Sequence, residues 1–420
     1  MSVDQFKKPK SLQIHQQALS RNNKGSMDNL LSNLTASLQG QEEAMADALK
    51  RLVLIQSGTH NKAGVDRLCR AVCDLLEPLP LERRIIPQEK YGDMLIASAP
   101  GGAEPRILLA GHMDTIFPAD SPFNGWREDD RFFYGPGVID MKGGLVAGIF
   151  ALKALAALGL LRELPVTWLF NSEEEVGSPV SRSLFRAEAG RAAMAFVLEC
   201  GGMRGQVVTG RKGRLGLRLF ARGRAGHAAK VVAGKKSAIL DLSRIIVELE
   251  EMNGLFPGVS VNVGQVAGGI VPNCVPENAC AEIDVRFPSN EGAAFFHERL
   301  DGLMERRKAA GMELSVETVS ETPVMEATAG NKALFAVVAE EARKLDIPIL
   351  EHFRAGVSDA NTIAQAGTPV IDGLGPIGEH DHSDREYMVR ESLRQRSALL
   401  ALSLAAAWRK YAAGTLFPGR

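Results

Sequence analysis

The sequence is poor in cysteine and carries almost no net charge, and both shortages exclude something. Its five cysteines, Cys69, Cys73, Cys200, Cys274 and Cys280, are odd in number and scattered. They lack the paired spacing of a zinc ribbon or a thioredoxin-like motif, so reduced thiols in a cytoplasmic protein are expected. Lysine and arginine total 49 against 50 aspartate and glutamate. That balance leaves no basic footprint for nucleic acid and no acidic tail, and a small-molecule substrate suits it better than a polyanion. No stretch is long and apolar enough to span a membrane. The first 26 residues are polar, with Lys7, Lys8 and Lys10, and have no apolar segment of the kind a signal peptide needs. There is no internal repeat and no low-complexity tract. What is present is length: 420 residues can bury a sizeable core, and two domains are the default expectation.

Residues 28–55 suit one amphipathic helix and, after a polar break at 57–61, residues 63–76 suit a second, with Cys69 and Cys73 four apart and expected to be buried. Apolar, β-prone runs follow at 106–110, 166–170 and 195–198, separated by helical stretches such as 143–158. This alternation predicts an α/β layered domain with a mixed sheet. After Gly210 the character changes to strand 215–221, helix 236–252, strands 259–266 and 279–287, helix 291–309 and strand 313–319. That βαββαβ order is ferredoxin-like. From about residue 331 the chain returns to helix, a short strand at 369–371, a polar loop and a closing helix at 391–409. The expected organisation is a polar extension (1–26), a catalytic domain in two parts (27–211 and 329–420), and an inserted lid (212–328).

The chemistry-bearing residues fall at strand ends, where open α/β sheets gather ligands. The run Ile107-Leu108-Leu109-Ala110 ends in Gly111-His112-Met113-Asp114-Thr115. Residues two apart on an extended segment project to the same side, so Asp114 can hold one ring nitrogen of His112 while the other binds a metal. The run Thr167-Trp168-Leu169-Phe170 ends in Asn171-Ser172-Glu173-Glu174-Glu175-Val176-Gly177. Neighbouring carboxylates there diverge, offering a ligand and a general base from adjacent positions. A third run ends in Glu199. Asp140 stands in a glycine-rich turn just before a helix, where a carboxylate can bridge two cations. Glu379, His380, Asp381, His382 and Asp384 crowd one C-terminal loop.

Taken singly, each has an ordinary explanation. Asp140 could cap a helix, the glutamate run could be a solvated loop, Glu199 a surface charge and His112 a structural histidine. Their joint placement is what argues for a metal site. Oxygen and imidazole donors without thiolate suit zinc, with cobalt or manganese as alternatives.

These segments, with Gly135 to Gly144 and His382-Ser383-Asp384, resemble the signature of the dinuclear zinc peptidase and deacylase family. That family includes carboxypeptidase G-type glutamate carboxypeptidases, aminoacylases, and acetylornithine and succinyl-diaminopimelate deacylases. The resemblance runs from about Asp28 to the C-terminus. It implies that His112 and Glu199 complete one metal site and Glu175 and His382 the other, with Asp140 bridging two divalent ions. Asp114 would orient His112, and Glu174 would be the general base for water acidified by the cations. His380 competes with His382, and His382 is preferred because Glu386-Tyr387 follows it as in the family pattern.

The resemblance also implies a homodimer formed through the lid. In Gly223-Arg224-Ala225-Gly226-His227, His227 would serve as oxyanion partner across the dimer. Asn273 and Arg286, with a backbone contact at Gly356, would hold the carboxylate end of the substrate, a guanidinium being suited to bidentate carboxylate binding. One departure stands out: where the glutamate-specific carboxypeptidases carry a further arginine near the lid's end, this chain reads Ser320-Glu321-Thr322-Pro323, which puts glutamate preference in doubt. The expected function is metal-dependent cleavage of an amide bond in a small carboxylate-bearing substrate. An acetylornithine-type deacetylase is the nearest alternative. A non-catalytic metal-binding protein on the same scaffold is the remote one, since such a protein should have lost the base or a ligand.

Overall fold

The computed structural model describes residues 25–230, 234–310 and 312–417. The expected polar extension lies outside the described residues but for its last two. In chain order the principal elements are α1 (Gly25–Gln39), α2 (Glu42–Val53), α3 (Lys62–Leu76), β1 (Glu82–Ile86), β2 (Met94–Ser98) and β3 (Arg106–His112). Then come α4 (Gly143–Ala157), β4 (Val166–Asn171), α5 (Arg182–Gly190) and β5 (Ala192–Val197). A second group comprises β6 (Gly213–Arg222), α6 (Ala238–Glu250), β7 (Ser260–Gly268), β8 (Asn278–Phe287), α7 (Asn290–Ala309) and β9 (Glu313–Thr322). The chain closes with α8 (Ala329–Lys344), β10 (Val370–Ile371) and α9 (Arg390–Ala412).

The described residues form two compact units, one of 25–209, 328–352 and 366–417, the other of 210–327 and 353–365 without the undescribed positions. The first holds a mixed sheet in the order β1-β2-β4-β3-β5-β10. β1, β2 and β4 pair antiparallel, while β4, β3, β5 and β10 run parallel. Buried residues throughout β3 and β4 read as the near-continuous apolar runs of a sheet covered on both faces. Helix α4 is apolar on nearly every side and packs against α9 and α2, as a helix inside a core must. No helix among the described residues is long and apolar enough to cross a membrane.

The second unit has an antiparallel sheet ordered β7-β8-β6-β9, the ferredoxin-like arrangement. Strand β8 alternates strictly: Ala279, Ala281, Ile283, Val285 and Phe287 are buried with residues of α6 and α7. Its polar residues occupy the other face, where Glu282 pairs with Arg218 and Asp284 with Arg214 and Arg286.

Three details differ from the sequence expectation. The single helix expected over 28–55 is two helices, because Gly40 costs a helix interior about 1 kcal/mol. Glu42 and Glu43 instead favour a new N-terminus there. Cys69 is buried, which pushes its thiol up to about 12, whereas Cys73 is only half-buried. Residues 353–365 group with the second unit rather than with the C-terminal catalytic segment. Asn361 Nδ2 donates to the carbonyls of Lys212 and Pro323, and Arg211 Nη1 to that of Gly356.

Candidate metal centre

Strands β4, β3 and β5 are parallel neighbours, so the segments that follow them emerge side by side. His112 is the last residue of β3, Glu174 and Glu175 follow β4 by a few residues, and Glu199 lies just past β5. The loop that follows β10, the parallel neighbour of β5, carries His382.

Two imidazoles meet on Asp140, and each of them also meets a glutamate. Asp140 Oδ1 is 3.0 Å from His112 Nε2, and its Oδ2 is 3.1 Å from His382 Nε2. His112 Nε2 also lies 3.5 Å from Glu199 Oε1, and His382 Nε2 lies 3.2 Å from Glu175 Oε2. His112, Asp140 and Glu175 present donor atoms within 4.8 Å of one another. His380 has no such contact; its carbonyl instead accepts from the Ser383 backbone and hydroxyl.

The electrostatics match that packing. Hydrogen bonds to Asp140 and Glu175 push the His382 imidazole up to about 11, against the effect of its partial burial. Complete burial should lower His112, yet Asp114, Asp140 and Glu199 together hold it well above its ordinary value. Burial likewise opposes ionisation of Asp140, but the two histidines outweigh it and keep Asp140 well below the usual carboxylate range. Burial raises Glu175 despite its bond to His382. Three carboxylates facing two imidazoles at these distances form an anionic nest that a divalent cation balances better than protons do. The donor set, imidazole and carboxylate without thiolate, therefore fits divalent metal binding.

Further contacts brace these residues. Asp114 is fully buried, and the nearest group to His112 Nδ1 is its backbone carbonyl at 3.0 Å, with the carboxylate at 3.4 Å. That carboxylate accepts from Thr59 Oγ1 at 2.7 Å and from the backbone amides of Glu174 and Glu175 at 3.1 and 3.2 Å. Asp114 thus braces the loop bearing the expected base as well as the histidine. Glu173, first of the three glutamates, is buried and accepts from the amides of Ser172 and Ser181, so it is structural.

Glu386 accepts three amides, from Gly137, Ile139 and Asp140, at 2.9, 2.8 and 3.1 Å. Gly137 makes this possible by taking φ +73°, which aims successive N–H groups at one carboxylate. Burial still pushes Glu386 up to about 8. Nearby, burial brings Lys142 down to about 7, and its Nζ donates to the Ile55 carbonyl. No sequence signal marks Thr59 or Lys142. Glu386 enters the sequence reading only through the Glu386-Tyr387 pair that follows His382, with no sign of its amide contacts.

The remaining expected site residues lie in the second unit. His227 and Asn273 are neighbours there, since a short ladder pairs Gly226–His227 with Cys274–Val275 and the Ala228 amide donates to the Asn273 carbonyl. Arg286 is half-buried, its Nε 2.7 Å from Asp284 Oδ1, and Gly356 is exposed.

A mixed α/β unit with an imidazole and carboxylate cluster at the ends of its parallel strands, interrupted by a ferredoxin-like insertion, defines a metallohydrolase class. The chain belongs to the peptidase family M20/M25/M40, whose profile matches residues 108–406. It is 27% identical over 375 residues to carboxypeptidase G2 of Pseudomonas sp. (strain RS-16), a match covering 87% of this chain and 89% of that one. It is 26% identical over 312 residues to the succinyl-diaminopimelate desuccinylase of Ectopseudomonas mendocina (strain ymp), covering 70% and 80%. Among solved structures, the aminopeptidase PepT from Bacillus cereus ATCC 10987 superposes with a TM-score of 0.74 at 22% identity, over 87% of this chain and 98% of that one. The M20 family metallo-carboxypeptidase Sso-CP2 from Sulfolobus solfataricus does so with 0.69 at 18%, over 86% and 98%. These likenesses establish the fold and a hydrolase of the peptidase or amidohydrolase type.

Proposed function

We propose that the protein cleaves the amide bond of a small carboxylate-bearing substrate, as a carboxypeptidase or N-acyl-amino-acid amidohydrolase. The observation that carries this reading is Asp140, whose two oxygens each face a different imidazole, His112 and His382. In this reading His112 and Glu199 would hold one cation and Glu175 and His382 the other, with Asp140 shared between them. Two such cations would supply Lewis acidity that acidifies water and polarises the amide carbonyl.

The rest falls to the chain. Glu174, held by its amide on Asp114, takes a proton from the attacking water and returns it to the leaving nitrogen. Asp114 and Glu386 fix the ligand loops, so little reorganisation is needed on binding substrate. In the second unit, read as a lid and dimerisation domain, His227 stabilises the developing oxyanion across a homodimer. Arg286 and Asn273 take the substrate carboxylate, with the Gly356 backbone beside them. Asp284 accepts from Arg286 Nε at 2.7 Å and from Nη2 at 3.5 Å, which leaves Nη1 for this task.

Hydrolysis of a panel of dipeptides, N-acyl amino acids and folate-like conjugates by zinc-, cobalt- and manganese-loaded protein tests the reading. Turnover of at least one class, abolished by chelation and restored by metal, is expected. Inactivity across the panel with every metal would overturn it.

A further inference from the structure

Within the first unit, at the strand ends opposite the metal centre, lies a cavity of about 470 Å³. Arg106, which lines it, opens β3, and His112 closes that strand. Seven extended residues set the two about 20 Å apart. Pro165, just before β4, and Ala99 and Pro100, just after the antiparallel β2, stand on the same rim. Trp408 and Ala412, one turn apart on α9, complete the wall together with Leu161 and Leu164. The volume falls within the range of small-molecule pockets, about 300–1,000 Å³.

Two donors in these walls have no acceptor. Arg106 is only 8% exposed, and the one hydrogen bond of its guanidinium among the described residues runs from Nη1 to the neutral Thr167 hydroxyl at 2.8 Å. No carboxylate among the described residues lies within ion-pair distance of it, and its buried Nε is without a partner. The buried Trp408 Nε1 is unpartnered as well, while its ring stacks on Tyr411 with centroids 5.4 Å apart. A buried guanidinium ordinarily has a carboxylate beside it, because taking an unpaired charge out of water is costly. The acidic residues of this wall do not serve: Glu104 is taken by Arg191 at 2.6 Å, and exposed Glu163 is offset by its neighbour Arg162. One positive charge is left uncompensated.

We propose that this cavity binds a small aromatic carboxylate, with its charged end on Arg106 and its ring among Trp408 and the prolines of the wall. A guanidinium and an indole N–H only donate, and a carboxylate only accepts, so the ligand supplies what both orphaned groups lack. A monoanion also matches the single uncompensated charge, and a guanidinium takes a carboxylate bidentately. Flat indole and proline faces suit a planar ring. The wall is held in advance of binding: Pro80, Pro100, Pro105 and Pro165 have fixed φ, the Ala99 amide donates to the Val166 carbonyl at 2.7 Å, and the Ile107 amide donates to that of Pro165 at 3.0 Å. The site shares no residue with the proposed hydrolytic machinery, and at about 20 Å along β3 its ligand is not the substrate being cleaved.

Isothermal titration of the zinc-loaded protein with 2-naphthoate, 2-naphthamide and acetate tests the site. The amide keeps the ring without the charge, and acetate keeps the charge without the ring. 2-Naphthoate should bind saturably and 2-naphthamide about 10- to 100-fold more weakly, the range for a hydrogen bond to a charged group. Acetate should show no saturation at concentrations that saturate with 2-naphthoate. Arg106→Met, which puts an unbranched apolar chain in place of the unpaired guanidinium, should weaken 2-naphthoate to the level of the amide and leave the amide within twofold. Trp408→Phe keeps an aromatic ring without the N–H and should cost about 2- to 10-fold.

Ala103→Trp, at an exposed position on the rim, fills the cavity while leaving the guanidinium in place and should weaken 2-naphthoate at least tenfold, so the site stays testable even where Arg106→Met fails to fold. A carboxylate bound at the metal centre instead would be released by chelating the zinc and would be unmoved by either variant; binding at Arg106 persists in the zinc-free protein. Absence of saturable 2-naphthoate binding, equal affinity for the naphthamide, or an affinity unmoved by Ala103→Trp overturns the site. None of these readouts involves turnover, so failure of the hydrolase reading would leave the site standing.

Discussion

Asp114→Asn is the substitution that most sharply separates a metal-loop brace from a simple histidine partner. In the wild type the buried carboxylate accepts from Thr59, Glu174 and Glu175, at 2.7, 3.1 and 3.2 Å. Asparagine keeps one oxygen and puts an amide nitrogen, a donor, where the other stood. The Thr59 hydroxyl can rotate to accept from that nitrogen, but the backbone N–H it faces cannot. A hydrogen bond to a charged acceptor contributes about 1.5–3 kcal/mol, and an orphaned buried amide costs about 1–3 kcal/mol, so the loss should come to about 3–6 kcal/mol.

The loop released carries both Glu174 and Glu175. A displacement of about 1 Å at reacting groups costs on the order of 100-fold in rate, or about 2.7 kcal/mol. Urea unfolding of the metal-free protein reads the first number and kcat of the metal-loaded protein reads the second. Because Glu175 is a proposed ligand on the same loop, the variant should also bind its metal more weakly. A variant that unfolds within about 1 kcal/mol of wild type and turns over within twofold of it would refute the bracing role.

Further outcomes follow from the same supports. Glu386→Ala strands the amides of Gly137, Ile139 and Asp140 and should cost about 3–6 kcal/mol in urea unfolding, with metal affinity reduced because Asp140 loses its anchor. Lys142 is fully buried and titrates near 7 in the fold against 10.5 when solvated. Between those values the unfolded chain binds the extra proton, so this lysine's penalty is complete below pH 7 and fades toward pH 10.5. Wild-type stability relative to Lys142→Met in the metal-free protein should therefore rise with pH across that window, by up to about 5 kcal/mol. A difference independent of pH would show that Lys142 stays protonated in the fold. Arg286→Ala should raise KM about 10- to 100-fold with a smaller change in kcat. A pure kcat effect would remove Arg286 from carboxylate binding.

What the sequence disclosed depended on how local the cause was. His112, Glu199 and the Glu174-Glu175 pair are legible because a charged residue closing an apolar run has few local reasons to be there, and parallel neighbours bring such ends together. The ferredoxin-like insertion is legible from period-two burial, which β8 shows residue by residue. The supports were hidden because their partners are distant in sequence: Thr59 meets Asp114 across 55 positions, and Glu386 meets Gly137 across 249. Strands β1 and β2 were missed as well. β1 is an exposed, charged edge strand with no alternation, and β2 is a short run that resembles a buried helix segment equally well. The break at Gly40 was legible but was outweighed by the continuous apolar pattern on either side of it.

A two-cation centre with Glu174 as its base is tested most directly by Glu174→Ala. Elemental analysis and turnover are measured on the same zinc-loaded preparation. Two metal ions per chain are expected, as in wild type, with kcat reduced by at least 100-fold, the lower range for loss of a general base. One ion per chain in the wild type, or turnover preserved in the variant, would contradict it.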